Sequence, residues 1–259
     1  MDNAEYDDTM IQTLAVIWGE GFLSPGGAEE VAELLRGIDL SGKRVLDVGC
    51  GAGGIELLLA RDYGAAEVVG IDVEAPVLEH ARQLIARHGL SGQVHVRQVV
   101  PGPLPFPDAS FDVVFSKDAV IHIPDKEAWC QDMFRVLRPG GLLVASDWMR
   151  VDESAPSPAM LAYMEAEGLS FRMGSLPRYG EALRAAGFVS VELRDRNAWY
   201  QSLVRAELEQ MRGPLRKTLE AAVGLEETAR NIALWEHLCA VVESGELRPG
   251  HFRASKPAA

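Results

Sequence analysis

Val45 to Gly54 reads VLDVGCGAGG, and no other stretch limits the fold as much. Val45, Leu46 and Val48 favour a strand, and the run that follows, Ile55 to Arg61 (IELLLAR), reads as a helix that is apolar on most sides. Between them, Gly49, Cys50, Gly51, Ala52 and Gly53 are small enough for a tight turn and for close approach of a ligand to the main chain. The helix N-terminus beyond it offers free N–H groups. Strand, glycine turn and helix in this order make a cradle for a polar ligand.

The pattern continues beyond the cradle. A strand is expected over 43–48, a helix over 53–62, a strand over 67–71, a helix over 75–88 and a strand over 93–99. The proline-rich loop Pro101 to Pro107 follows, then a strand over 111–115, a helix over 127–137 and a strand over 141–147. Alternation of this kind predicts an α/β fold with a doubly wound, mostly parallel sheet of seven strands, Rossmann-like, with ligands at the carboxyl ends of the strands. Met10, Leu14, Ile17 and Trp18 recur at helical spacing ahead of it, and Ala28 to Gly37 forms a second leading helix. Residues 151–178 begin ESAPSPAM, turn helix-like, and break the alternation, which predicts a helical cap insertion. A helix over 178–186 and a strand over 188–194 resume it, followed by helices over 200–222 and 229–244 and a last strand at 251–255. One domain over 1–259 is expected: N-terminal lid helices to residue 40, a cofactor-binding core over 41–150, the cap over 151–178, and the remaining sheet and helices over 179–259.

A net charge of −13 argues against a nucleic-acid surface, since phosphate binding needs a basic face. Cys50, Cys130 and Cys239 lack metal spacing and leave an odd thiol, so a reducing compartment and no metal are expected. The N-terminus MDNAEYDD is acidic without an apolar run, and nothing reaches transmembrane length. A cytoplasmic protein is expected, a monomer or homodimer whose partner is a small molecule.

Asp72 closes the second strand (EVVGID), and a carboxylate there suits ribose hydroxyls. The residues alone leave nicotinamide dinucleotide and S-adenosylmethionine open. Asp47 before G-C-G-A-G-G, FDVVFS at 111–116 and VLRPGG at 136–141 together resemble three motifs of class I S-adenosylmethionine-dependent methyltransferases, in order. The resemblance narrows further. Tyr6, GEGFLSPGG at 19–27, SKDAVIHIPDK at 116–126, SDWMR at 146–150, PSPAMLAYM, YGEALRAAGF and the final FRASK are similar to phosphoethanolamine N-methyltransferases, with the sarcosine and dimethylglycine enzymes as relatives.

That resemblance implies S-adenosylmethionine as cofactor and S-adenosylhomocysteine as its product. Asp47, Gly49 and Gly51 would surround the methionine part, Asp72 and Val73 the ribose side, and Val100 the adenine position, with Leu23 and Ser24 closing over the cofactor. Asp118 and His122 would line the reaction centre, Tyr6 pairing with His122. An amine must be unprotonated to attack a sulfonium methyl; a histidine titrating near neutrality takes that proton while a tyrosine hydroxyl orients it. A buried, satisfied His122 is the bland alternative. Trp148, Tyr163 and Tyr179 are candidates for a wall that holds a cationic ammonium, whereas Trp235, Trp199 and Trp129 read as core.

Three positions depart from the resemblance. Val100 and Pro101 stand where an acid and a backbone N–H would hold adenine, and they offer neither acceptor nor donor. Glu167 stands where a phosphate-binding arginine is expected, leaving Arg172, Arg178 or Arg196 as substitutes. The expected activity is methyl transfer to the nitrogen of a small amine, phosphoethanolamine-like or glycine-derivative-like. Transfer to oxygen or carbon of a secondary metabolite is the alternative enzyme reading, and a non-catalytic cofactor-binding protein the third.

Overall fold

The computed structural model describes residues 6–169 and 171–258. Its centre is a seven-stranded sheet of β1 (Arg44–Val48), β2 (Glu67–Asp72), β3 (Val94–Gln98), β4 (Phe111–Lys117), β5 (Leu137–Arg150), β6 (Val189–Asp195) and β7 (Leu247–Ser255). They lie in the order β3-β2-β1-β4-β5-β7-β6. All pairings are parallel except those of β7, which runs antiparallel to both neighbours. The doubly wound sheet expected from the alternation is therefore present.

Because side chains alternate across a strand, adjacent residues of one strand feed opposite cores. Val45, Val68, Val94, Val113 and Val144 face one side, where they pack with Val31 and Leu34 of α2 (Gly27–Leu34), Ile55 and Leu57 of α3 (Gly54–Leu57), and Leu84 of α4 (Ala75–Arg87). Leu46, Val69, Val114 and Leu143 face the other, against Trp129 and Met133 of α5 (Lys126–Val136) and Leu183 of α7 (Leu176–Ala185). Central strands apolar on both faces are what a parallel sheet covered on both sides requires.

A third core lies at the carboxyl edge. It joins α1 (Asp8–Trp18), α6 (Pro158–Glu167), α8 (Asn197–Arg212), α9 (Arg216–Val223) and α10 (Leu225–Glu243) through Leu14, Met160, Tyr163, Tyr200, Leu219 and Trp235. The cap is thus larger than the 151–178 insertion expected from sequence, which contributes α6 to it. The helix expected over 200–222 is divided: α8 stops at Arg212, Gly213 and Pro214 intervene, and α9 restarts at Arg216, because proline lacks the N–H that a continuous helix needs. Among the described residues no helix is long and apolar enough to cross a membrane.

Candidate active site

Strand order reverses between β1 and β4, so the connections leaving their carboxyl ends diverge and open a crevice. The glycine turn after β1 forms one wall. Gly49 holds φ 81°, and a Cβ placed there meets the Cβ of Ala119 at 2.1 Å, so only glycine lets the turn approach the end of β4 this closely. The loop after α1 packs on the same turn. Gly54 N–H donates to Gly21 O at 3.1 Å, and a Cβ on Gly51 would lie 2.9 Å from Leu23 Cδ1. Leu23 therefore packs on the turn, and Ser24, expected with it as a lid, follows directly.

Asp72 ends β2 beside this turn and accepts from Gly51 N–H at 2.9 Å and Glu74 N–H at 3.0 Å. Burial raises its pKa, while those N–H groups and the nearby His122 oppose the rise. Asp47 departs from its expected place around a ligand. It is fully buried, does not line the cavity described below, and its carboxylate pairs with the equally buried Glu56 of α3. Two ionised carboxylates cannot share such a place, so burial and their mutual repulsion favour the protonated form of the pair. Burial, the largest cause, pushes Asp47 up to about 7 and Glu56 well above its ordinary value.

This pair has a pH signature. Asp47 titrates higher in the fold than the 3.8 of an exposed aspartate, so the folded state holds a proton that the unfolded chain releases. Its contribution is complete below about pH 4 and is lost as pH rises through 7. Glu56→Gln keeps the shape of the side chain and replaces the titrating carboxyl by an uncharged amide. It is expected to be more stable than the native chain by about 1–2 kcal/mol at pH 8, with the advantage shrinking at pH 5. Urea denaturation at the two pH values checks this, and parallel pH dependences would show that no proton is shared.

Across the crevice, Asp118 follows β4 with φ 57°, a left-handed conformation uncommon for a residue with a side chain. Its carboxylate accepts from Lys117 Nζ at 2.6 Å and Ser146 Oγ at 3.0 Å. Lys117 Nζ also donates to Ser24 Oγ at 2.7 Å and Pro25 O at 3.1 Å, so one buried ammonium ties the lid to Asp118. A 3₁₀ turn, Val120–His122, comes next. Two buried groups hold it. Asp147 accepts from Ile121 N–H at 2.9 Å and from the Tyr179 hydroxyl, and Lys126 Nζ donates to Val120 O and to Ile123 O at 2.7 Å. Burial raises Asp147 and lowers Lys126 from their ordinary values.

His122 thereby faces a cavity of about 80 Å³ roofed by the cap. The cavity brings together Tyr6, Leu23, Ser24, Asp118, His122, Trp148 and Tyr163 of the residues expected from sequence. The Tyr6 ring stands edge-on to His122 with centroids 6.3 Å apart, and Phe171 flanks the other side at 6.1 Å. Trp148 meets Tyr200 at 4.7 Å, and Tyr163 stacks on Phe171 at 6.1 Å.

Other expectations are corrected. Tyr179 is not a wall of the cavity: it is fully buried, bonded to Asp147 and stacked on Phe252 at 4.7 Å, and so supports the turn that carries His122. Val73 and Val100 lie outside the cavity at 44% and 81% exposure, near the carboxyl ends of β2 and β3. Trp235, expected as plain core, is buried but also lines the cavity, where its indole N–H donates to Glu207 at 3.1 Å. Arg178 pairs with Glu127 at 2.9 Å, Arg196 with Glu30 at 2.5 Å, and Arg172 is exposed; none lines the cavity. Glu56, Lys126, Asp147, Glu207 and Phe171 were not expected. Of these only Lys126 and Asp147 carried a signal, standing beside the strand ends in IPDK and SDW.

Comparison with known proteins accords with this geometry. Residues 39–175 match the family described as a methyltransferase domain. Phosphoethanolamine N-methyltransferase 3 of Arabidopsis thaliana is 33% identical over 210 residues, 81% of this chain and 42% of that protein. The chain spans about half the length, or less, of the curated plant relatives it matches. Phosphoethanolamine N-methyltransferase 2 of Haemonchus contortus, solved with phosphomonomethylethanolamine and S-adenosylhomocysteine, shares the fold with a TM-score of 0.91 at 24% identity, over 99% of this chain and 59% of that one. A putative sarcosine dimethylglycine methyltransferase from Galdieria sulphuraria does so with a TM-score of 0.77 at 23% identity, over 97% and 99%.

Proposed function

The chain belongs to the methyltransferase domain family, and from that premise we propose that it transfers a methyl group from S-adenosylmethionine to the nitrogen of a small-molecule amine. One observation carries the reading: His122 stands beside Tyr6 in a cavity also lined by Leu23, which packs on the glycine turn. The matching plant and nematode proteins are named for N-methylation of phosphoethanolamine, which supports nitrogen as the acceptor atom.

The residues present fit the cofactor. Gly49 and Gly51 leave the turn without side chains, and Asp72 ends β2 beside it with a carboxylate able to take ribose hydroxyls. Asp47 acts from beneath, shaping the turn through Glu56. Val73 and Val100 give adenine only exposed apolar surface. When bound, S-adenosylmethionine would supply the electrophilic methyl group that the acceptor nitrogen takes.

His122 takes the proton that leaves the nitrogen, Tyr6 orients the histidine, and the closed cap excludes water. Three buried free thiols accord with a reducing compartment, and we place the protein in the cytoplasm.

Titration calorimetry with S-adenosylhomocysteine tests the cofactor assignment. Asp72→Ala is expected to weaken binding about tenfold or more, the effect of losing charge-assisted hydrogen bonds to two hydroxyls. Equal affinity in the variant removes Asp72 from the ribose contact, and no binding by the native chain removes the cofactor.

A further inference from the structure

We propose that the acceptor is a cationic amine carrying no phosphate, with Glu167 as its counter-charge and the surrounding aromatic rings as its walls; this deepens the N-methyltransferase reading and rests on it.

The cavity contains no lysine or arginine among its described lining residues. Its ionisable groups besides tyrosine are Asp118, Glu167 and His122. Lys117, the nearest ammonium to Asp118, is spent on Asp118 and the lid. Glu167 has no such compensation: among the described residues no cation or hydrogen-bond donor meets its carboxylate. It lies one helical turn after Tyr163 on the face of α6 that lines the cavity, and its charge raises the Tyr163 hydroxyl further above the rise that burial causes. It is also the last residue of α6, where the helix's exposed carbonyls add negative potential. Partial burial pushes its carboxyl up to about 7, and a cation placed beside it would bring it back down.

The walls favour the same charge. Trp18 and Trp235 pack with centroids 5.8 Å apart, and both indole N–H groups donate to the buried Glu207, at 2.8 Å and 3.1 Å. Tyr200 reaches the same carboxylate at 3.5 Å. A carboxylate on the N–H edge makes the ring faces more negative, and cations are attracted to such faces. A phosphate brought here meets one uncompensated carboxylate, negative ring faces and no guanidinium. An ammonium meets complementary groups on every side. Methylation keeps the cation and removes its N–H donors, and ring faces hold the product as readily as the substrate because they need no hydrogen bond.

The test compares N,N-dimethylethanolamine with its phosphate ester, which differ only by the phosphate, in calorimetric titrations of the full chain saturated with S-adenosylhomocysteine. The native chain is expected to bind the free amine at least tenfold more tightly than the ester. Glu167→Gln, equal in shape, is expected to weaken the amine at least tenfold while leaving S-adenosylhomocysteine affinity within twofold. Tighter binding of the ester, an amine affinity unchanged in Glu167→Gln, or no amine binding by a chain that binds S-adenosylhomocysteine would each overturn the proposal. Failure of the nucleoside titration itself overturns the cofactor assignment instead, and the amine titrated into the chain alone then decides the cation site by the same criteria.

Discussion

Gly49→Ala is expected to cost the protein about 2–5 kcal/mol, a large part of the stability of a marginal domain. Two independent causes add. The backbone at Gly49 has φ 81°, where any residue with a Cβ is strained by about 1–2 kcal/mol. The new methyl would also stand 2.1 Å from the Ala119 Cβ, well inside contact distance, and neither belongs to a flexible side chain that can swing away. The turn after β1 and the segment leading to His122 must therefore separate, at a further cost of about 1–3 kcal/mol for overpacking. Gly89→Ala is the matched control: its φ is 70° but nothing lies within 4 Å of the added atom, so only the backbone strain applies. Pairing Gly49→Ala with Ala119→Gly should restore the overpacking part and leave the backbone part. Equal midpoints for Gly49→Ala and Gly89→Ala in urea would show that the crevice tolerates a wider spacing between β1 and β4.

The same closeness explains what could be read in the chain and what could not. Strand, glycine cluster and helix are local, and Val45 to Gly54 announces them through residue size and period alone. Asp118 and His122 follow the fourth strand in order, so a parallel sheet brings them to the carboxyl edge whatever the loops do. Glu56 was passed over because a carboxylate within an apolar helix shows its purpose only once that helix lies on β1 and turns it toward Asp47. Tyr179 failed in the opposite sense. An aromatic beside a cap looks like a wall, but α7 carries it behind β5, where Asp147 takes its hydroxyl. Trp235 and Glu207 meet Trp18 only once the helices of the third core are packed, and no short-range pattern relates Glu207 to Trp18, nearly two hundred residues away.

His122→Ala is expected to lower turnover of an amine acceptor by about 10²–10⁴, the range for a positioned proton acceptor, while S-adenosylhomocysteine affinity stays within twofold. The fold gives grounds for so local an effect. The 3₁₀ turn that bears His122 is held by Asp147, Tyr179 and Lys126 through the main chain of Val120, Ile121 and Ile123, none of which involves the imidazole. Truncating the ring therefore leaves the turn in place and removes the base. Tyr6→Phe keeps the ring set edge-on to His122 and deletes only the hydroxyl, so a smaller loss of about tenfold is expected. The double variant separates orientation from an independent role. A tyrosine that acts through the histidine adds nothing once the histidine is gone, and the double variant should then match His122→Ala. Multiplied losses would make Tyr6 a second proton-handling group, and an unchanged rate in His122→Ala would return His122 to the status of a packed side chain.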